Sequence, residues 1–87
     1  MSDLLSNTIE IRGVPYEVRE IDGKTMREVR KRIKETPETV EAYIAWKCGL
    51  SPAFASEQAA TEAPHLVLKL ISEEAFRLST EADAKNA

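Results

Sequence analysis

The chain has 87 residues, with 12 Lys and Arg against 15 Asp and Glu, for a formal charge of −3 at pH 7. A hydrophobic share of 43% and a charged share of 31% suit one small domain with one modest core, and argue against wholesale disorder. One Cys and one His exclude an internal disulfide framework, argue against a four-ligand zinc site, and leave His65 to carry any nucleophile–histidine–acid chemistry alone.

Residues 1–7 have no basic segment and no long apolar run, so they read as a flexible start and not as a signal peptide. No window approaches the ~20 apolar residues of a membrane span, and no membrane is expected as a partner. From Thr8 to Ile21 the alternation of Thr8-Ile9-Glu10-Ile11-Arg12 and Tyr16-Glu17-Val18-Arg19 predicts a β-hairpin. A turn at Gly13-Val14 would pair Ile11 with Tyr16 and Ile9 with Val18, all on one face, and would set Glu10 opposite Glu17. Pro15 has no N–H to give to that ladder.

Asp22-Gly23 reads as a turn, and Thr25 with Glu28 has capping-box spacing for a helix running to about Glu35. Met26, Val29 and Ile33 form its apolar stripe. Thr36-Pro37 restarts a helix that ends at Cys48-Gly49. This second helix is unusually apolar, with Val40, Tyr43 and Ile44 on one face and Ala42 and Trp46 beside it, so a central position is expected. Ser51-Pro52 looks like another cap, before an Ala-rich stretch over 53–60 carrying Phe54 that reads equally as a short helix or a mobile connection. The last helix is expected from Pro64 to Thr80, with Val67, Leu68, Leu70, Ile71, Ala75 and Leu78 inward and a Lys69–Glu73–Arg77 ladder outward. Residues 81–87 have no apolar anchor and read as a disordered tail.

Charge is unevenly placed. Residues 24–34 hold Lys24, Arg27, Arg30, Lys31, Arg32 and Lys34 against Glu28, a local +5, which leaves −8 for the rest of the chain. Arg27, Arg30, Lys31 and Lys34, with Lys24, cover about a third of the helix circumference. Such a stripe suits phosphates or an acidic protein, or is a solvated face. The lack of interleaved aromatics, the lack of a helix-turn-helix pattern and the overall acidity argue against nucleic acid.

Catalytic signals are weak. His65 has no spaced nucleophile and acid; Glu62, Ser72 and Ser79 are the nearest candidates. Cys48 ends a helix, where the dipole opposes a thiolate, so it reads as a buried structural residue. Glu73 and Glu74 are adjacent on a helix and diverge. The three glycines are too far apart to form a phosphate loop. No enzyme, cofactor or metal is expected. Trp46, Phe54, Leu66 and Phe76 do not all fit one inner face: either the hairpin and the other helices surround the second helix and bury them, or they are partner contacts with Arg27, Arg30, Lys31 and Lys34 as a charged rim.

The stretch Thr8-Ile9-Glu10-Ile11-Arg12-Gly13-Val14-Pro15-Tyr16-Glu17-Val18-Arg19-Glu20, the charged segment Met26-Arg27-Glu28-Val29-Arg30-Lys31-Arg32 and the helical remainder resemble small tail assembly chaperones of long-tailed bacteriophages. The resemblance spans roughly residues 8–80. It implies a non-catalytic protein that binds the tape measure protein, keeps that long helical partner soluble and helps recruit tail tube subunits. It also implies action in the host cytoplasm and absence from the mature virion. The family often makes a longer product by programmed frameshifting, and Ala84-Lys85-Asn86 is compatible with a slippery A-AAA-AAC heptamer. Self-association through the same surface is a further expectation. The alternative is a small phage-encoded regulatory protein that binds nucleic acid through helix 24–34. The expected fold is α+β and mostly helical: an N-terminal hairpin, then three to four helices, forming one domain over 8–80.

Overall fold

The computed structural model describes residues 4–86, with side chains described through Glu81. Strands β1 (Ser6–Ile11) and β2 (Val14–Arg19) are followed by helix α1 (Gly23–Glu35) and a 3-10 turn (Pro37–Thr39). Helix α2 (Val40–Cys48), strand β3 (Gly49–Ser51), helix α3 (Glu57–Thr61) and helix α4 (His65–Asn86) complete the chain. This is the expected hairpin-plus-helices α+β arrangement, with one strand more. β1 begins at Ser6, inside the stretch expected to be flexible. α4 runs six residues past the expected end, and the tail expected over 81–87 enters it as far as Asn86. Its side chains beyond Glu81 lie outside the described residues.

The hairpin forms, but in another register. Ile9 faces Tyr16, Ile11 faces Val14 and Asn7 faces Val18, two residues from the expected pairing. The turn is Arg12-Gly13, with φ of 54° and 81°, and not Gly13-Val14. Two successive positive φ values match the right-handed twist of the flanking strands, and glycine accepts the second at no steric cost. A shift of two preserves side-chain parity, so Ile9, Ile11, Tyr16 and Val18 still share a face. It also places Glu10 opposite Pro15 and Thr8 opposite Glu17, so the expected Glu10–Glu17 conflict does not arise. Counting outward from the turn-flanking pair, Glu10–Pro15 falls at a non-hydrogen-bonded position, where the proline deprives β1 of no bond.

The third strand is the addition. β3 pairs antiparallel with β2 at Glu17–Ser51 and Val18–Gly49, giving the order β1-β2-β3. Ser51-Pro52 lies at its end in the cis form and does not cap a helix. The cap of α3 is Ser56, whose hydroxyl accepts from the Ala59 amide at 3.1 Å. For α1 the cap is Asp22 and not Thr25: the carboxylate accepts from the Thr25 amide at 2.8 Å. Thr25 is buried, which occupies the side chain expected to cap. Thr36 makes no side-chain cap, and Pro37 opens a 3-10 turn before α2 begins.

The sheet turns its apolar face to α4, and α2 lies between α4 and α1. Five of the nine α2 residues are buried, Ala42, Tyr43, Ile44, Ala45 and Cys48, so the helix is central as its composition predicts. Val18, Val29, Ile44, Cys48 and Ile71 form the innermost set. Ile33 is a correction: expected in the core, it is 52% exposed. Beyond Val29 the end of α1 runs beside the 3-10 turn, none of whose own residues is buried, and Ile33 stays at the surface. Two polar ties close the open end. Glu20 and Leu5 exchange bonds of 2.7 and 2.8 Å, and the Ile21 amide donates to Ser79 Oγ at 2.9 Å.

Candidate functional site

α1 and α2 lie side by side, and the groove between them has a volume of about 380 Å³. Lys24, Arg27 and Glu28 line it from α1; Tyr43, Trp46 and Lys47 line it from α2. The spacing explains the lining. Lys24, Arg27 and Glu28 are three and four residues apart on α1, and so are Tyr43, Trp46 and Lys47 on α2. The floor is aromatic, with the Tyr43 and Trp46 rings edge to face at 6.0 Å.

The one acid in the groove is already engaged. Glu28 accepts from Arg32 Nε at 2.9 Å, and this bond holds its carboxyl below the ordinary value. Arg32 reaches on to Glu57 at 2.6 Å and sits 4.2 Å over the Tyr43 ring. Those carboxylates raise the Arg32 pKa against the opposing effect of burial. Arg32 therefore leaves the basic stripe and becomes a tie between α1, α2 and α3. Lys47 Nζ lies 4.1 Å over Trp46. Among the described residues Lys24, Arg27, Arg30, Lys31 and Lys34 make no ion pair.

The remaining candidates sit elsewhere. Trp46 and Phe54 are half-buried and pack against the chain's own core, leaving part of Trp46 to the groove. Leu66 and Phe76 are exposed on α4, at 38% and 37%. With Lys69, Glu73 and Thr80 they share the outward third of that helix, about 15 Å apart along its axis. The groove thus gathers Arg27 and Trp46, joined by Lys24 and Lys47. It does not include Leu66 or Phe76, and Arg30, Lys31 and Lys34 lie further along α1. Lys47 and Tyr43 were not singled out from sequence as partner contacts; their i and i+4 spacing around Trp46 was the available signal.

The outward ladder of α4 is also rearranged. Arg77 pairs with Glu74 and Glu81, each at 2.5 Å, and not with Glu73. Glu74 sits on the flank toward β1, where the Asn7 amide also donates to it at 3.0 Å, and the Arg77 bond lowers its pKa. His65 is exposed, 3.2 Å from Glu41. Ser79 is about 21 Å along the helix from His65 and is bonded to Ile21 and Ala75. Burial pushes the Cys48 thiol up to about 11, which keeps it protonated at neutral pH. Among the described residues no three His, Cys, Asp or Glu side chains gather as a metal site, and no helix is long and apolar enough to cross a membrane. No family model, curated protein or solved structure matches this chain.

Proposed function

We propose that this chain is a non-catalytic assembly chaperone of a long-tailed bacteriophage that covers the apolar stripe of the tape measure protein and assists tail tube assembly. In this reading it acts in the host cytoplasm and is left out of the mature virion. The observation that supports it best is the pairing of Leu66 and Phe76 on the outward side of α4. Both are large, apolar and exposed, on a helix whose other side is anchored in the core. Two apolar side chains about three turns apart suit a helix laid alongside, touching it at two apolar points with polar residues between them. The same pair could join two copies of the chain. The polar residues Lys69, Glu73 and Thr80 between and beyond them keep the free surface hydrated.

Nucleic-acid binding through helix 24–34 is the competing reading, and the five unpaired cations of α1 favour it. The aromatic rings do not. Lys47 covers one face of Trp46 and Arg32 covers one face of Tyr43, which removes platforms on which a base would stack. A salt series separates the two. Contact with a helical protein through Leu66 and Phe76 changes little as salt rises, whereas binding to DNA weakens steeply. Replacing Leu66 and Phe76 by Lys removes partner binding in the protein reading. Steep salt dependence with no loss in that double variant overturns it.

A further inference from the structure

We propose that the α1–α2 groove is the docking site for an acidic helical segment of a partner protein. The inference goes beyond the reading above: it assigns a second docking face, separate from Leu66 and Phe76 on α4, and names the chemistry of the segment bound there. Among the described residues Lys24, Arg27 and Lys47 surround the groove without an ion pair, and its own acid, Glu28, is bonded to Arg32. The site therefore presents Lys24 and Arg27, with Lys47 resting on the Trp46 ring, over a floor whose apolar part is the uncovered edge of Trp46.

The cations continue along α1 in a regular order. Lys24, Arg27, Lys31 and Lys34 follow one another at intervals of three, four and three, which places them in a single row down the helix. A second helix lying alongside presents carboxylates at the same three-and-four repeat, so the two rows meet turn by turn. Leucines beside that acidic row would rest on the Trp46 edge. The charge balance supplies the complement: α1 is positive in a chain that is otherwise negative, so an approaching acidic helix is drawn to this face and turned away from the others. A nucleic acid would match the charge but not the covered rings.

The lone tryptophan of the chain lies in the groove, so its fluorescence reports occupancy directly. The whole chain is titrated with a synthetic helical peptide lacking Trp and Tyr, with Glu at the three-and-four repeat and Leu on the adjoining stripe. The same peptide with Gln for Glu and a single-stranded DNA oligonucleotide are run beside it. The Glu peptide should give a saturable change in Trp46 emission, and the Gln peptide should bind about tenfold more weakly. Lys24→Glu with Arg27→Glu should lower affinity for the Glu peptide by about tenfold with unchanged circular dichroism, while Lys69→Glu on α4 leaves it intact. Equal affinity for the two peptides, or no loss in the Lys24/Arg27 variant, overturns the proposal. So does an emission change with the oligonucleotide alone, which would assign the groove to nucleic acid. Leu66→Lys with Phe76→Lys should leave the peptide titration unchanged. If that variant abolishes partner binding while the peptide fails, the chaperone reading stands and the groove assignment falls.

Discussion

Arg32 is expected to contribute more to stability than any other cation of α1, although sequence places it in a row of like residues. Its guanidinium lies 4.2 Å over Tyr43, a contact worth about 1 kcal/mol when partly shielded from water. The pair with Glu57 has side-chain exposures of 20% and 29%, so solvent screening leaves it about 0.5 kcal/mol. The methylene stem adds about 0.5 kcal/mol of apolar contact. Arg32→Ala should therefore cost about 2 kcal/mol, which for a domain of this size lowers Tm by about 10 °C. Urea unfolding followed by Trp46 fluorescence measures it, with a lower midpoint and an unchanged slope. Arg32→Lys should recover part of the loss, because an ammonium can sit over the ring but cannot fork to two carboxylates. A loss under about 0.5 kcal/mol for Arg32→Ala, the level of an ordinary surface position, would refute the assignment of Arg32 as the tie between three helices.

Three further outcomes follow from the same contacts. Asp22→Ala should cost about 1 kcal/mol at neutral pH by removing the α1 cap, while Asp22→Asn keeps most of it. Because the bonds to Thr25 lower the Asp22 pKa, the charge-dependent part of that stability is present above the ordinary carboxyl value and is lost as pH falls through the depressed one; the gap between wild type and Asp22→Ala should narrow in acid toward that between Asp22→Asn and Asp22→Ala. Ile71→Ala should cost about 3 kcal/mol, since Ile71 is fully buried, whereas Ile33→Ala should stay within about 0.5 kcal/mol; thermal unfolding compares them. Arg12→Asn should stabilise the hairpin by a few tenths of a kcal/mol, about 0.5, because Asn accepts the positive φ of this position more readily; a lower Tm would contradict the turn assignment.

How much was legible in the sequence depended on whether the signal was local. Alternation over 8–19 identified the hairpin and its inward face, but two adjacent turns, Arg12-Gly13 and Gly13-Val14, both preserve that face, and the pattern cannot separate them. β3 is three residues, Gly-Leu-Ser, with no alternation of its own; it is a strand because β2 lies beside it. Thr25 and Asp22 each had a capping residue's chemistry, and burial of Thr25 decided between them. Ile33 had the right period for a core residue and the wrong position along α1, past the end of what packs there. The basic row was plain from α1 alone. The groove was not, because Lys47 and Trp46 arrive from another helix and meet Lys24 and Arg27 only when α1 and α2 pack. The candidate apolar contacts are residues that no single inner face accommodates, and the fold sets Trp46 beside the groove, Phe54 against the core, and Leu66 and Phe76 on α4.

The most direct measurement of the proposed function is co-expression of the chain with a candidate phage tape measure protein, a long helical chain, followed by recovery of that protein in the soluble fraction. The account predicts a soluble complex containing both, and loss of the tape measure protein to the insoluble fraction when the chain is omitted or carries Leu66→Lys with Phe76→Lys. Recovery of equally soluble tape measure protein with the chain, without it and with the double variant would contradict the account.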